Sequence, residues 1–436
     1  MSHNTEKVSE TKRKLSVTVE ANDVNKTIDS TIREYGKNLN LNGFRKGKVP
    51  AAVIEKRFAD EVYNYATENL INSNINKIFD DEKIRPCSRV NMEDKENAPK
   101  LERNKEFSFT CSFEVLPEID LPKDFSEYSV KVESDEVSPE EIEKFTMQIR
   151  RTMATLEEIT ENRKPMDGDV LLVDVEGTYE GKPVPGMGAQ NFLMQISEDK
   201  DTTNKEIDKL VRTASVGEEV TGTMVCPDDY ADKEMRGKTI DIKVKLHKIH
   251  KQILPELDEE FAKKVGFKDV ETLKQMIDAQ VKQSKTAQVR NKAQQELLDS
   301  ITAKYDYELP ESMVQKALSN YMLEARNSLG QQNMDPEEML KALASIKEDG
   351  EEIAKRQTKA HVFLLSLAFR ENLVVTGQEV DMYIRQLAME TRQQYEQVRD
   401  HVLNTGMVTD IQERIMAGKA LDLIFDQAKH EEVKAD

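Results

Sequence analysis

Leu15, Val17 and Val19 alternate with Ser16, Thr18 and Glu20, the period-two signature of a strand with one buried face. Val24, Ile28, Ile32, Tyr35 and Leu39 then recur at helical spacing, and Asn22 or Asp23 is placed to cap that helix. A second helical stripe runs through Ile54, Phe58, Val62 and Tyr65 to Ile71, Ile75 and Ile78. Phe107, Phe109, Cys111, Phe113 and Val115 alternate with Ser108, Thr110, Ser112 and Glu114, a further half-buried strand. Residues 1–120 therefore read as a small α+β domain that presents the loop between its two helices.

Pro117 and Pro122 punctuate the exit from this domain. Ser138-Pro139-Glu140-Glu141 has the form of a capping box with proline in the first turn, and the helix it starts is expected to run to about 162 as a connector. From Asp167 the pattern turns to β. Val170 and Leu172 lie in an apolar run, Gly177, Gly181, Gly186 and Gly188 are read as turns, and Ile240, Ile242, Val244 and Leu246 alternate strictly. Phe192 is read as a core position on a strand. Beyond Pro255 the chain is helical almost throughout, with capping boxes expected at Asp335 to Glu338, Thr376 to Glu379 and Thr409 to Gln412. One helix, roughly 268–304, is apolar only near its ends, and between 282 and 296 its one large apolar residue is Val289. Such a helix cannot be core, and it reads as bridging or protruding.

Length adds that 436 residues exceed one compact core, so two to four domains are expected. Charged residues make up 33% and aromatics 6%, which favours long solvated helices over large packed cores. The net charge of −19 argues against a general nucleic-acid binder, but the charge is uneven. Residues 1–58 hold 12 Lys/Arg against 7 Asp/Glu, which leaves −24 on the remainder. A basic head thus precedes an acidic body. Cys87, Cys111 and Cys226 have no paired spacing and read as reduced packing residues of a cytoplasmic protein. No run approaches 18 apolar residues and the N-terminus lacks a secretory core, so no membrane association is expected.

The densest chemistry lies in the loop between the first two helices. Gly43 and Gly47 admit backbone angles closed to other residues, and Pro50 fixes the start of the next helix. Between them stand Phe44, Arg45, Lys46 and Lys48, an aromatic ring among cations that can stack on bases and meet phosphates. Read without context, this is also what an ordinary basic turn looks like.

The pattern Gly43-Phe44-Arg45-x-Gly47-x-x-Pro50, set between two helices, resembles the ribosome-docking signature of the trigger factor family, bacterial chaperones of nascent chains. The resemblance implies that Phe44, Arg45 and Lys46 contact the large ribosomal subunit near the polypeptide exit, with Gly43, Gly47, Lys48 and Pro50 completing the motif. It implies an α+β multidomain fold: an α+β ribosome-binding head over 1–120, a connector over 121–162, an FKBP-like antiparallel β domain over 163–250 and an elongated all-α chaperone body over 251–436. Clients would be nascent and unfolded polypeptides held without ATP or another cofactor, and partial homodimerisation away from the ribosome is expected.

The family's FKBP-type domain is a peptidyl-prolyl isomerase whose pocket is walled by aromatics. Here Asp174 is followed by Val175, the second aromatic position falls on Val184, and Tyr230, three residues after Pro227, matches the pattern cleanly. A weakened isomerase is the expectation. Two rivals stand beside the chaperone reading: a folding catalyst working mainly by isomerisation, and an assembly factor whose acidic body shields basic ribosomal proteins. Gly237-Lys238-Thr239 is a fragment of a phosphate loop, but Asp232 falls where its first glycine belongs, so no ATPase is supported. His247 and His250 lack a third ligand at sensible spacing, so a surface role is favoured over metal. Met322, Met339, Met382 and Met389 are candidate client contacts, although a thioether at helical spacing is more often core.

Overall fold

A computed structural model describes residues 1–45, 47–93, 100–161, 163–196, 205–226, 235, 237–330 and 336–433. The chain opens with strands β1 (Ser2–Lys7) and β2 (Lys12–Val19), followed by helices α1 (Ala21–Asn38), α2 (Ala51–Arg57) and α3 (Ala59–Glu82). Strands β3 (Asn91–Met92), β4 (Phe107–Glu114) and β5 (Ser129–Glu133) lead to α4 (Pro139–Thr152) and β6 (Thr155–Glu158). A β-rich stretch holds β7 (Asp169–Tyr179), β8 (Lys182–Gln195), helix α5 (Lys205–Val211), β9 (Glu219–Val225) and β10 (Thr239–Ile253). Helices α6 (Glu259–Lys264), α7 (Val270–Thr302), α8 (Glu311–Gly330), α9 (Pro336–Arg370), α10 (Gly377–Thr391), α11 (Tyr395–Thr405) and α12 (Val408–Gln427) follow, and β11 (Lys429–Val433) closes the described chain. The class is mixed, with helices, antiparallel sheets and a helical C-terminal part.

The chain forms two compact units. The first joins Met1–Lys123 to Ile301–Ala317 and Ala354–Leu423. Its antiparallel sheet has the order β1-β2-β4-β3, and the register sets Leu15 opposite Cys111 and Val17 opposite Phe109, so the two central strands pool their apolar residues on one face. That face meets Val24, Ile28 and Ile32 of α1 and Val62 and Ile78 of α3, all buried. Helix α1 starts at Ala21 without a side-chain cap, so Asn22 and Asp23 lie inside its first turn and the Asp23 carboxylate pairs with Lys26 at 2.9 Å. The expected single second helix is two, because the backbone breaks at Phe58 (φ −126°), and Tyr65 lies off the buried stripe.

Two carboxylates tie this sheet to the helical part of the same unit. Ser9 and Thr11, in the β1–β2 turn, donate their hydroxyls to Glu308 at 2.7 and 2.8 Å, and the Glu10 backbone N–H donates at 3.1 Å. In the other direction Glu114, at the end of β4 and 8% exposed, accepts from the backbone N–H groups of Glu311 (3.1 Å) and Ser312 (2.9 Å) and from the Ser312 hydroxyl. Helix α8 follows Pro310, which offers no capping side chain, so its cap comes from a strand some two hundred positions earlier in the chain. Elsewhere in the unit Ile384, Val398, Val402 and Ile411 pack α10, α11 and α12 together. The Thr376–Glu379 capping box forms as expected, but α12 begins at Val408, so Thr409 is helical and does not cap. The Asp335 box lies outside the described residues.

The second unit comprises Asp124–Ser300, Leu318–Ile353 and Ile424–Asp436. Its main sheet is antiparallel with the order β6-β10-β7-β8, and β9 also pairs with β10. Ile207 and Val211 of α5 lie in a core with Leu171, Val173, Ile240, Ile242 and Val244. The Ser138 capping box is complete, but α4 ends at Thr152, short of the expected 162, and the chain goes on as β6 to pair with β10. Gly177 is no turn: it sits inside β7, where a Cβ would approach that of Met187 to 2.6 Å. Gly186 and Gly188 likewise lie within β8, and Phe192, expected in the core, is 47% exposed. The polar middle of α7 is held by hydrogen bonds. Lys285 reaches Glu141 at 2.9 Å, Thr286 reaches Asp135 at 2.7 Å, and Lys292 pairs with Glu133. Here a helix that is polar all round packs through ion pairs with an acidic segment. Cys87 is half-buried, and Cys111 and Cys226 are buried.

Replacing Glu114 by Ala removes the cap of α8 and is expected to cost about 1–2 kcal/mol. Urea unfolding should register that loss, and hydrogen exchange should speed up at the amides of Glu311 and Ser312 while strands β2 and β4 stay protected.

Candidate functional site

The loop over 39–50 is shaped by the corner that α1 and α2 make. A Cβ on Gly36 would lie 2.8 Å from Ile54 Cδ1, and Ile54 is fully buried, so the two helices come this close only because position 36 has no side chain. The rings of Tyr35 and Phe58 pack at 5.7 Å beside this contact, and Val49 anchors the returning chain in the core. Gly43 (φ +94°) and Gly47 (φ +76°) take left-handed conformations, and hydrogen bonds from Phe44 N–H to Leu41 O (3.0 Å) and from Lys48 N–H to Arg45 O (2.9 Å) close two tight turns. Pro50 stands at the N-cap position of α2.

These turns push the functional side chains outward. Phe44 is 39% exposed although large and apolar, and Arg45, Lys48 and Pro50 are exposed. Among the described residues no carboxylate pairs with Arg45 or Lys48. Lys46 lies outside the described residues. The arrangement offers a ring and two described cations in water on a hydrogen-bonded base, which suits stacking and phosphate contact at one point.

A charged network clamps the base. Arg103 Nε donates to Glu55 Oε1 at 2.7 Å, its NH2 group donates to Asp29 at 2.8 Å, and the Tyr63 hydroxyl donates to Glu55 at 2.8 Å. One guanidinium thereby links α1, α2 and the segment before β4, while Tyr63 adds α3. The Arg103 hydrogen bond holds the Glu55 carboxyl below the usual carboxylate range, and burial with the Glu55 bond raises the Tyr63 hydroxyl. Neither Gly36 nor Arg103 stood out in the sequence. Gly36 sits in a periodic helical stripe, and Arg103 lies in an aperiodic stretch whose partners are 48 and 74 positions away.

The β-rich stretch of the second unit gathers a different set. Asp174 accepts from the Asn191 backbone N–H at 2.7 Å and bonds His247 Nε2 at 2.6 Å. The Asn191 amide, followed by His247, keeps this carboxyl below its ordinary range. Val184 is buried in the core and Val175 packs against it, so neither supplies an aromatic wall. Tyr230 lies outside the described residues. His247 thus has a hydrogen-bonding role, and among the described residues no three His, Cys, Asp or Glu side chains are grouped to hold a metal. Lys238 lies 4.9 Å over the Tyr179 ring, a cation–π contact that accounts for it without a nucleotide. Asp232 lies outside the described residues.

The outward Met382 and Met389 are 62% and 78% exposed, and so are not core residues of α10. Met322 and Met339 are half-buried. Among the described residues no helix is long and apolar enough to cross a membrane.

A mixed-class, multidomain chain that raises a cationic, aromatic loop on an α+β head is what this geometry defines. Residues 1–149 match the family model described as bacterial trigger factor protein, and residues 269–426 match the model of its C-terminus. The trigger factor of Nitratidesulfovibrio vulgaris strain DP4 is 34% identical over 429 residues, covering 98% of each chain. That of Oleidesulfovibrio alaskensis is 33% identical over 436 residues, covering 100% of this chain and 98% of its own. That of Lawsonia intracellularis is 34% identical over 437 residues, covering 98% and 99%. A solved structure of a trigger factor chaperone aligns over 97% of this chain and 99% of its own, at 19% identity and a TM-score of 0.37. On its full-length relatives, the chain belongs to the trigger factor family.

Because Glu55 titrates below its unfolded value, its contribution is complete at neutral pH and is lost as pH falls through the lowered folded value. Arg103→Ala should therefore destabilise the head by about 1 kcal/mol at pH 7, after allowance for partial exposure. The gap to the wild type should close as pH drops below about 4 in urea melts.

Proposed function

We propose that this chain is an ATP-independent chaperone that docks on the large ribosomal subunit near the polypeptide exit and holds nascent and unfolded polypeptides in the cytoplasm. Full-length kinship with trigger factors supports the chaperone role, and the outward loop of Phe44, Arg45 and Lys48 on a clamped corner is the observation that carries the docking. Lys46 shares that role on the strength of the motif. Residues 1–120 act as the docking head, 121–162 as the connector, 163–250 as the FKBP-like domain and 251–436 as the helical chaperone part. The basic head meets phosphates while the acidic remainder is repelled by them, which restricts docking to one end.

Client holding needs apolar groups that are scattered rather than pooled, so that each contact is weak and release needs no nucleotide. Val374, Met382, Met389 and Leu403 are each more than half exposed on or beside α10 and α11. Flexible thioethers among them adapt to unrelated sequences.

Prolyl isomerisation is the lesser activity in this reading. Val175 and Val184 stand where the family supplies aromatics, and the Asp174 carboxylate already engages Asn191 and His247. In a proline-limited refolding assay the full chain should give weak acceleration, and strong acceleration proportional to its concentration would reverse this assignment.

Replacing Phe44, Arg45 and Lys46 together by Ala should abolish co-sedimentation with ribosomes while the circular dichroism spectrum and melting stay those of the wild type. Wild-type affinity should fall roughly tenfold or more as salt rises from about 50 to about 200 mM, since cations that displace counterions carry the binding.

A further inference from the structure

Strand β8 ends the main sheet of the second unit, and among the described residues it pairs with β7 alone. Sheet edges are ordinarily blunted by charges, prolines or bulges, because their open N–H and C=O groups accept any passing strand. The N-terminal half of β8 follows that rule, with Lys182, Pro183 and Pro185. Its C-terminal half is interrupted by a bulge at Gln190–Asn191, where Asn191 takes φ +51° and the register to β7 slips, but beyond that bulge, from Phe192 to Gln195, the edge carries none of these guards. From Pro183 to Ser197 there is no charged residue, in a chain that is one-third charged.

The same half is apolar and open to solvent. Phe192 and Leu193 are 47% and 51% exposed, and as neighbours on a strand they project to opposite faces of the sheet. Leu193 is in register with Leu172 and Phe192 with Val173, so an added strand would find apolar neighbours on both faces. The backbone is oriented to receive it. Ile196 turns both its groups toward β7, accepting from Gly168 N–H at 3.0 Å and donating to Asp169 O at 2.9 Å. By the period of two, Leu193 and Gln195 turn their N–H and C=O groups away from β7.

We propose that the edge of β8 over 192–195 is a strand-addition site that takes an extended, uncharged, apolar segment of an unfolded polypeptide. The occupant follows from the edge. Without a charge to pair, it discriminates against charged segments, and with apolar neighbours on both faces it suits a segment apolar at consecutive positions. Main-chain hydrogen bonds give affinity for any such sequence, which a holder of unrelated clients requires. The site rests on the chaperone reading and enlarges it: the central domain binds clients along a backbone edge as well as through any prolyl pocket.

The test uses the full chain and a synthetic peptide with an uncharged Val/Phe/Thr core flanked by lysines. Hydrogen exchange followed by mass spectrometry should slow about tenfold over 192–195 when the peptide is bound, and Leu193→Lys should weaken peptide binding by roughly tenfold. Because Leu193 is half exposed, the variant should fold and co-sediment with ribosomes like the wild type. Peptide binding by the wild type without slowing at 192–195, or with the same slowing in the variant, overturns the edge site alone. If exchange at 192–195 instead slows with protein concentration and no peptide, a second copy is the occupant and the proposal fails. Absence of any peptide binding by the wild type would remove the client-holding reading, and this site with it.

Discussion

A loop that carries several cations and a phenyl ring into water gains nothing by folding, so its position has to be set by what lies beneath it. Here that is the corner where α1 and α2 approach across Gly36, locked by one guanidinium that reaches Glu55 and Asp29 together. An Arg fork suits this because its geometry is planar and fixed, and two carboxylates from different helices can meet it only in one arrangement. The network is partly exposed, so its value lies more in fixing orientation than in raw stability. Freedom at the tip and rigidity at the base are separate features, supplied by different residues.

Charge does similar work elsewhere in the chain. With 6% aromatics and no tryptophan, large cores are scarce, and segments distant in sequence are joined by carboxylates instead. Glu308 enters the β1–β2 turn while Glu114 caps α8, so each side of the contact supplies an acid to donors on the other. In the other unit the polar middle of α7 meets the acidic 133–141 stretch in the same manner. A backbone N–H or an ammonium paired in this way is satisfied with little apolar area, which leaves apolar side chains such as Met382 and Met389 free to stay outside.

Much of the fold was legible because periodicity reports burial. The strands at 15–19 and 107–113, the stripe of α1, the Ser138 and Thr376 boxes and the alternation of β10 all read directly from residue order. The loop was legible for a different reason: Gly, Phe, Arg, Gly and Pro at fixed spacing form a local pattern. What did not read was non-local. The Arg103 clamp, the cap supplied by Glu114 and the exposure of Phe192 depend on partners or neighbours far along the chain. Local rules also misplaced Gly177, because a glycine that admits a close neighbour looks the same in sequence as one that turns the chain. The end of α4 was overrun for a related reason, since the residues after Thr152 are claimed by β10 as a partner strand.

In the function proposed above, this clamped, ring-bearing cationic tip is the part of the molecule that touches the ribosome. A photoreactive phenylalanine analogue placed at position 44 of the otherwise intact protein, irradiated with purified large ribosomal subunits in low-salt buffer, tests it most directly. A covalent adduct with a component beside the polypeptide exit, lost when salt is raised, is the expected result. Bound protein that yields no adduct from position 44 would contradict it, as would a protein that does not bind the subunits at all.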